Sequence, residues 1–344
     1  MKYIIIPEQK TIHQLPFYFA VEEYVARKYT NDDYFMAWRV EPTVMLGRNQ
    51  LIENEVNIDY CKRNNIHIFR RKSGGGCIYA DKGCMQFSYI SFAENVNSAF
   101  IEYMKSIAEM IKNLGINTEL SGRNDILVDG KKVAGSAFYR LKGRSVLHNS
   151  LLFSTQLEHL SQALTPGKEK LQSKGVASVR QRVTNVGTYT TLNIEAFMAY
   201  VRQYMCGNEV LELTPDDMQQ IAEIEKELAS DNFIYGKNPK YTEVRKKRFA
   251  DVGTIQAHIE LKNNKIVNIN LMGDYFLSGD LDNELLNLLH GVDFSREAVA
   301  NAIEGVEMGN VIRNFTTEQF LRLLFGRPPH VMKPDWLKIN LTSK

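Results

Sequence analysis

The chain has 344 residues, 44% hydrophobic and 24% charged, and its 42 basic and 40 acidic side chains leave a net charge of +2. That length suggests two domains in a composition ordinary for a soluble globular protein, with no charge excess that demands nucleic acid. No run approaches the roughly 18 apolar residues of a membrane span, and the stretch after Met1 is too short for a signal peptide.

Four cysteines, Cys61, Cys77, Cys84 and Cys206, make no Cys-x-x-Cys pair, and the seven histidines show no His-x-x-x-His spacing. A protein-held transition metal is therefore not expected. Sparse cysteine suits a reducing compartment, so a cytoplasmic location is expected.

In chain order, residues 17–29 predict an amphipathic helix with Phe17, Val21, Tyr24 and Val25 on one face. Residues 34–47 predict two short strands joined at Glu41-Pro42. Strands at 66–71, 76–80 and 84–92 bracket a glycine-rich loop and a Lys82-Gly83 turn. Ile101, Met104, Ile107, Ala108, Ile111 and Leu114 predict a helix over 98–114, stopped by Gly115. Asp129-Gly130 predicts a tight hairpin turn, and a further strand is expected near 147–153. Helices follow at 157–163, 193–205 and 216–229. Beyond Tyr235-Gly236-Lys237-Asn238-Pro239 a second meander begins, with strands to Phe249, at 254–261 and at 265–272. Helices at 280–289, 295–304 and 316–325 complete an α+β unit. The boundary falls near 240–248, giving domains 1–242 and 243–344.

The segment Arg70-Arg71-Lys72-Ser73-Gly74-Gly75-Gly76-Cys77-Ile78-Tyr79 carries the strongest chemical signal. Three adjacent glycines suit a loop whose backbone approaches something closely. Two arginines beside it suggest an anionic ligand, a phosphate or a carboxylate, against a plain hairpin with surface arginines. In the 125–137 hairpin, pairing Asp125 with Ala134 puts Asp125 and Lys132 on one face as diagonal neighbours, with Cβ atoms on the order of 7–8 Å apart. A cross-strand salt bridge explains that pair as well as a ligand does. Gly135-Ser136-Ala137 then offers a strand that a ligand can approach. A lysine there suits charge that builds up where a carboxylate and an α-phosphate are joined.

His148 stands in a strand, where a structural role is the commoner one. Residues 168–185 hold Lys168, Lys170, Lys174, Arg180 and Arg182, a solvated loop or a mobile lid over phosphates. No Gly-x-Ser-x-Gly elbow, Walker A loop or dinucleotide fingerprint occurs. Cys77 and Cys84 have no histidine nearby in sequence, so buried structural thiols are expected.

Together these segments resemble the lipoate–protein ligases of the wider biotin and lipoate ligase group. The matching pieces are Arg70–Gly76, Ser121-Gly122-Arg123-Asn124-Asp125, Lys132-Val133-Ala134-Gly135-Ser136-Ala137, Leu147–Leu152 and Ser178–Asn185, in the family's order. Phe19-Ala20-Val21-Glu22-Glu23 is similar to the family's first helix. The tail resembles the accessory domain many of these ligases carry.

The resemblance implies an α+β fold. A large catalytic domain of mixed, mostly antiparallel sheets is flanked by helices, and a small α+β accessory domain follows. It also implies two steps: lipoate and MgATP give lipoyl-AMP and pyrophosphate, and the acyl group then passes to a lysine. The acceptors would be lipoyl domains of 2-oxoacid dehydrogenase acyltransferase subunits or the glycine-cleavage H protein, with no nucleic acid or membrane as partner.

By the same likeness Lys132 and Asp125 are the catalytic pair, with Asp125 a candidate Mg²⁺ ligand. Arg71, Ser73, Gly75, Gly76, Cys77, Ile78, Tyr79, Asn124, Lys132, Gly135, Ser136, Ala137, His148 and Arg180 would hold nucleotide or lipoate. Phe19, Val21 and Tyr79 would line an acyl tunnel. The chain departs from the family at Ala80-Asp81, where many members have a histidine before the aspartate. It departs again at Leu147-His148-Asn149-Ser150, where many have His-His-Gly-Thr, which leaves lipoate against octanoate open. An ATP-independent octanoyl or lipoyl transferase using a cysteine thioester, and a non-catalytic lipoate- or nucleotide-binding protein, are the alternatives. A biotin ligase is a minor one.

Overall fold

Short, largely apolar runs bounded by turn residues generate many of the strands of this fold, a computed structural model describing residues 1–7, 12–93, 95–122, 124–141, 143–165, 182–236 and 241–326. In chain order the strands are β1 (Lys2–Ile5), β2 (Tyr34–Trp38), β3 (Thr43–Leu46), β4 (His67–Arg70), β5 (Ile78–Ala80), β6 (Cys84–Ser91) and β7 (Glu119–Ser121). Then come β8 (Asp125–Val128), β9 (Lys131–Leu141), β10 (Arg144–Leu152), β11 (Val210–Glu212), β12 (Glu243–Phe249), β13 (Gly253–Lys262) and β14 (Lys265–Gly273).

Eight of them form one sheet in the order β11-β1-β2-β6-β10-β9-β8-β7. Only the β11–β1 and β1–β2 pairs are parallel. The β2–β6, β6–β10, β10–β9, β9–β8 and β8–β7 pairs are antiparallel. The strands on either side of Pro42 do not pair with each other. β2 joins the large sheet, whereas β3 pairs with β4 and β5 in a separate three-stranded sheet that carries the glycine loop.

One face of the large sheet packs on the helix Leu15–Lys28 and the other on the helix Val96–Lys112. The first helix begins earlier than its periodicity indicates because Pro16 is tolerated in a first turn. It is also more than amphipathic: every residue from Leu15 to Ala26 is buried, Glu22 and Glu23 included. The second starts at Val96 because the Asn95 side chain accepts from the Asn97 and Ser98 amides, a cap that satisfies orphan donors.

Asp129-Gly130 forms the expected tight turn, with φ of 50° and 71° at its two residues. The register beyond it differs from simple pairing. Leu127 faces Lys132, but Ile126 faces Ala134 and Asp125 faces Gly135, so Val133 is an extra residue in β9. That bulge shifts Asp125 one position from the expected partner and re-aims the strand.

Strands β12–β14 form the third sheet, covered by the helices Arg296–Ala302 and Thr317–Phe325 around a core that includes Ile255, Ile259, Leu289 and Phe320. The helix expected over 280–289 is two pieces, Leu281–Glu284 and the 3-10 turn Leu286–Leu289. Leu285 (φ −137°, ψ −59°) leaves the helical region between them. Two residues after β14, Tyr275 stays in this core while Phe276 joins the core behind the large sheet.

Candidate active site

The glycine loop is held from within. Arg71 is 4% exposed, and it donates from Nε to Ser73 Oγ (3.0 Å), from Nη1 to Met45 O (3.2 Å), and from Nη2 to Gly74 O (2.6 Å) and Gly76 O (2.9 Å). Burial pushes its guanidinium down to about 10. Arg70 likewise binds the carbonyls of Gly47, Gln50 and Ile234. The pair read from sequence as an anion site thus braces backbone carbonyls, and only Arg71 of the two also reaches the cavity described next. Gly75 needs its φ of +89°, and a Cβ there would meet the Phe276 ring at 2.8 Å.

A cavity of about 310 Å³ opens where this loop meets β8, β9, β10 and the turn after β12. Asp125, 3% exposed, stands at its polar end. Its Oδ1 accepts from Lys132 Nζ at 2.9 Å and its Oδ2 from Arg182 Nη2 at 2.5 Å. The bulge at Val133 lays the Lys132 side chain against Gly135, where an added Cβ would sit 2.4 Å from Nζ. Gly135 therefore makes room for the lysine. Asn124 closes the strand entrance, donating from Nδ2 to Ser136 O at 2.9 Å and accepting the Ser136 amide on its own carbonyl at 2.9 Å.

The other end of the cavity is aromatic and aliphatic, with Phe19, Trp38, Met45 and Ile78 in its wall. His148 sits there, its Nδ1 2.9 Å from Glu22 Oε1 and its ring 5.5 Å from those of Phe19 and Tyr139. Its Nε2 is buried with no hydrogen-bond partner among the described residues. Glu22 is fully buried beneath the cavity floor and also accepts from Ser88 Oγ. Its neighbour Glu23, 1% exposed, pairs with Lys72 and Arg27.

Of the residues expected at the site, Arg71, Gly76, Cys77, Ile78, Asn124, Asp125, Lys132, Gly135, Ser136, Ala137 and His148 line this one cavity, as does Phe19. Ser73 and Gly75 stand behind it in the loop, and Tyr79 and Val21 point into the core. Arg180 lies outside the described residues, as do Lys168, Lys170 and Lys174.

Sequence reasoning places Arg182 in the basic run and in the Ser178–Asn185 match but not in the site, and it also leaves out Trp38, Gln86, Arg248, Asp251 and Phe276. No local motif marks the last three, since they come from the far side of the chain. Cys84 is buried, its thiol pushed up to about 12 by burial, so it is no ready nucleophile. Among the described residues no cluster of three His, Cys, Asp or Glu could hold a metal ion, and no helix is long and apolar enough to cross a membrane.

The mixed sheet thus carries one cavity with an apolar end and a polar end where Lys132 and Arg182 meet Asp125, and the comparisons give its class as ligase. The family model described as "Lipoyl protein ligase A/B catalytic domain" matches residues 15–206, and "Bacterial lipoate protein ligase C-terminus" matches residues 238–324. Lipoate-protein ligase LplJ of Bacillus subtilis is 34% identical over 317 residues, covering 89% of this chain and 95% of that protein. Lipoate–protein ligase 1 of Staphylococcus aureus is 34% identical, covering 82% and 89%.

The crystal structure of P. falciparum LipL1 in complex with lipoate shares the fold, with a TM-score of 0.73 at 19% identity over 93% of this chain and 96% of that one. A lipoate-protein ligase A bound with ATP gives a TM-score of 0.58 at 23% identity over 68% and 98%. The chain belongs to the lipoate–protein ligase family, as its motifs indicated.

Proposed function

We propose that this chain activates lipoate with MgATP as lipoyl-AMP and transfers the lipoyl group to a lysine of a lipoyl domain or of a glycine-cleavage H protein. The observation that carries the reading is that Lys132 and Arg182 meet at the polar end of a cavity whose other end is apolar. A carboxylate entering with its aliphatic tail toward Phe19 and Trp38 would bring its oxygens toward Lys132. The ammonium then neutralises charge where the carboxylate meets the α-phosphorus. Asp125 holds the lysine in place before any ligand arrives. Relatives named as lipoate–protein ligases over nearly the whole chain, and fold neighbours solved with lipoate or with ATP, support the same reading.

In this reading Gly76–Ile78 receive the nucleotide largely through backbone, Asn124, Gly135, Ser136 and Ala137 form the wall around the reacting phosphate, and His148 faces the acyl chain. Arg71, Ser73 and Gly75 shape the loop. Magnesium enters with the nucleotide, which suits a site offering few carboxylates, because Mg²⁺ takes one or two of them together with phosphate oxygens. Asp125 fits that role once Lys132 or Arg182 turns from it to phosphate. We place the domain division at 242/243, where β12 opens a sheet with its own core.

The test is mass spectrometry of an apo lipoyl domain or H protein incubated with this chain, lipoate and MgATP. A gain of one lipoyl group only when ATP is present supports the proposal, and transfer without ATP overturns it in favour of a cysteine-dependent transferase. Cys77→Ser and Cys84→Ser keep activity in the first case and abolish it in the second. Lys132→Ala should lower lipoyl-AMP formation by about a hundredfold or more, read as pyrophosphate release, and normal release would sink the role given to Lys132.

A further inference from the structure

The cavity has a wall that comes from beyond residue 242: Arg248, Phe249, Ala250, Asp251 and Gly253. Strand geometry sets its direction. Phe249 is 6% exposed inside the C-terminal core, and successive side chains on a strand point to opposite faces. Arg248 therefore faces away from that core and into the cavity.

The charges around the cavity are uneven. Arg71, Lys132, Arg182 and Arg248 are its cationic lining, against the carboxylates of Asp125 and Asp251. Three of these cations are already engaged: Arg71 by loop carbonyls, and Lys132 and Arg182 by Asp125. Arg248 donates to a neutral hydroxyl, Thr254 Oγ1, at 3.1 Å, and stands 4.0 Å from Asp274 Oδ2. Asp274 is itself fixed, its Oδ1 accepting the Thr254 amide at 2.6 Å. The guanidinium thus projects from the β12–β13 hairpin with one hydrogen bond to a hydroxyl and its nearest carboxylate among the described residues at 4.0 Å. That is the arrangement suited to a polyanion.

We propose that Arg248 binds the β- and γ-phosphates of the nucleotide, so that the C-terminal unit supplies a ligand-contacting residue to the adenylation site. The inference rests on the ATP-dependent reading above. In the step concerned, a lipoate carboxylate oxygen bonds to the α-phosphorus, the α–β bridging P–O bond breaks, and its electron pair leaves on pyrophosphate. Arg248 stabilises the charge that gathers on this leaving group. Thr254 and Asp274 act through it as positioning residues.

The experiment separates the two half-reactions. Lipoate-dependent exchange of labelled pyrophosphate into ATP reports adenylation, and transfer from preformed lipoyl-AMP to an apo lipoyl domain reports the second step. Arg248→Ala should raise KM for MgATP and slow exchange, together by about tenfold or more, while transfer changes by less than about twofold. Arg248→Lys should recover part of the loss. Thr254→Val, which keeps the cation but removes the hydroxyl that orients it, should raise KM for MgATP by about threefold, a smaller loss than in Arg248→Ala, and leave transfer unchanged.

An unchanged KM for MgATP and unchanged exchange in Arg248→Ala, with an active wild type, overturns the inference alone. Equal losses in both half-reactions with a lowered melting temperature in both Arg248 variants also overturn it, since they mark a structural role. A wild type that exchanges no pyrophosphate overturns the ligase reading and this inference with it.

Discussion

Replacing Phe276 by alanine tests how the C-terminal unit is fastened to the catalytic sheet. The ring is 1% exposed and lies 5.6 Å from the Phe138 ring, stacked, and 6.2 Å from Phe100. The Arg313 guanidinium covers those two neighbours at 5.8 and 4.7 Å. Burying a side chain of this kind removes roughly 150–250 Å² from water. At about 25 cal/mol per Å² that is about 4–6 kcal/mol, and about 3–5 kcal/mol once the compactness of real unfolded chains is allowed for. Core Phe→Ala changes fall in the same range of about 3–5 kcal/mol.

If all 344 residues melt together, an unfolding entropy of about 0.7 kcal/mol/K turns a loss of about 4 kcal/mol into a fall of about 5–6 °C. If the smaller unit separates first, its entropy is several-fold less and its own shift several-fold larger. Calorimetry of Phe276→Ala should therefore show either one transition lowered by about that much, or an early transition split from the main one. Hydrogen exchange at the Gly75 amide, which donates to Tyr275 O at 3.0 Å, should quicken in step. An unchanged single transition with unchanged Gly75 protection would refute the reasoning.

Gly135→Ala places a Cβ on the Lys132 ammonium while β9 keeps its pairing. It should cut lipoyl-AMP formation by about tenfold or more at near-normal stability, and unimpaired adenylate formation would show that Gly135 does not set the lysine. Asp217 joins the helix Pro215–Leu228 to the first helix, accepting from Tyr24 (2.6 Å), Lys28 (2.5 Å) and Tyr29 (2.8 Å). Burial pushes its carboxyl up, but the hydrogen bonds from Lys28, Tyr24 and Thr214 outweigh that and hold it below the usual range. With the folded-state pKa below the unfolded one, its stabilisation is present above about pH 4 and is lost as pH falls through the folded value. Asp217→Asn should lower stability by about 2–3 kcal/mol at pH 7 and flatten the acid limb of the urea midpoint against pH. Parallel curves for variant and wild type would refute it.

What was legible in the sequence was local. Asp129-Gly130 announced its hairpin, and the spacing of Ile107, Ile111 and their neighbours announced a helix, because both depend on residues a few positions apart. The bulge at Val133 was not legible, since an extra residue in a strand leaves no pattern until the partner's register is known. The burial of Glu22 and Glu23 was not legible either. Their partners, Ser88, His148 and Lys72, are brought in by three different segments.

Arg71 stands in the loop that its sequence marks, but composition does not show that the carbonyls of Met45, Gly74 and Gly76 surround it. Arg248 and Phe276 reach the site only through packing of the second unit, at a sequence distance where no motif operates. The charged and glycine residues of the site were thus easier to find than the walls that enclose them.

The bracing of the glycine loop by Arg71 has a thermodynamic consequence for whatever binds there. A loop ordered by its own chain has lost its conformational entropy at folding, so a ligand meets amides already fixed in direction. Affinity at such a loop comes with little ordering penalty and little rearrangement. It also makes the arginine irreplaceable by lysine, whose single ammonium cannot hold four acceptors spread over Met45, Ser73, Gly74 and Gly76 in one plane.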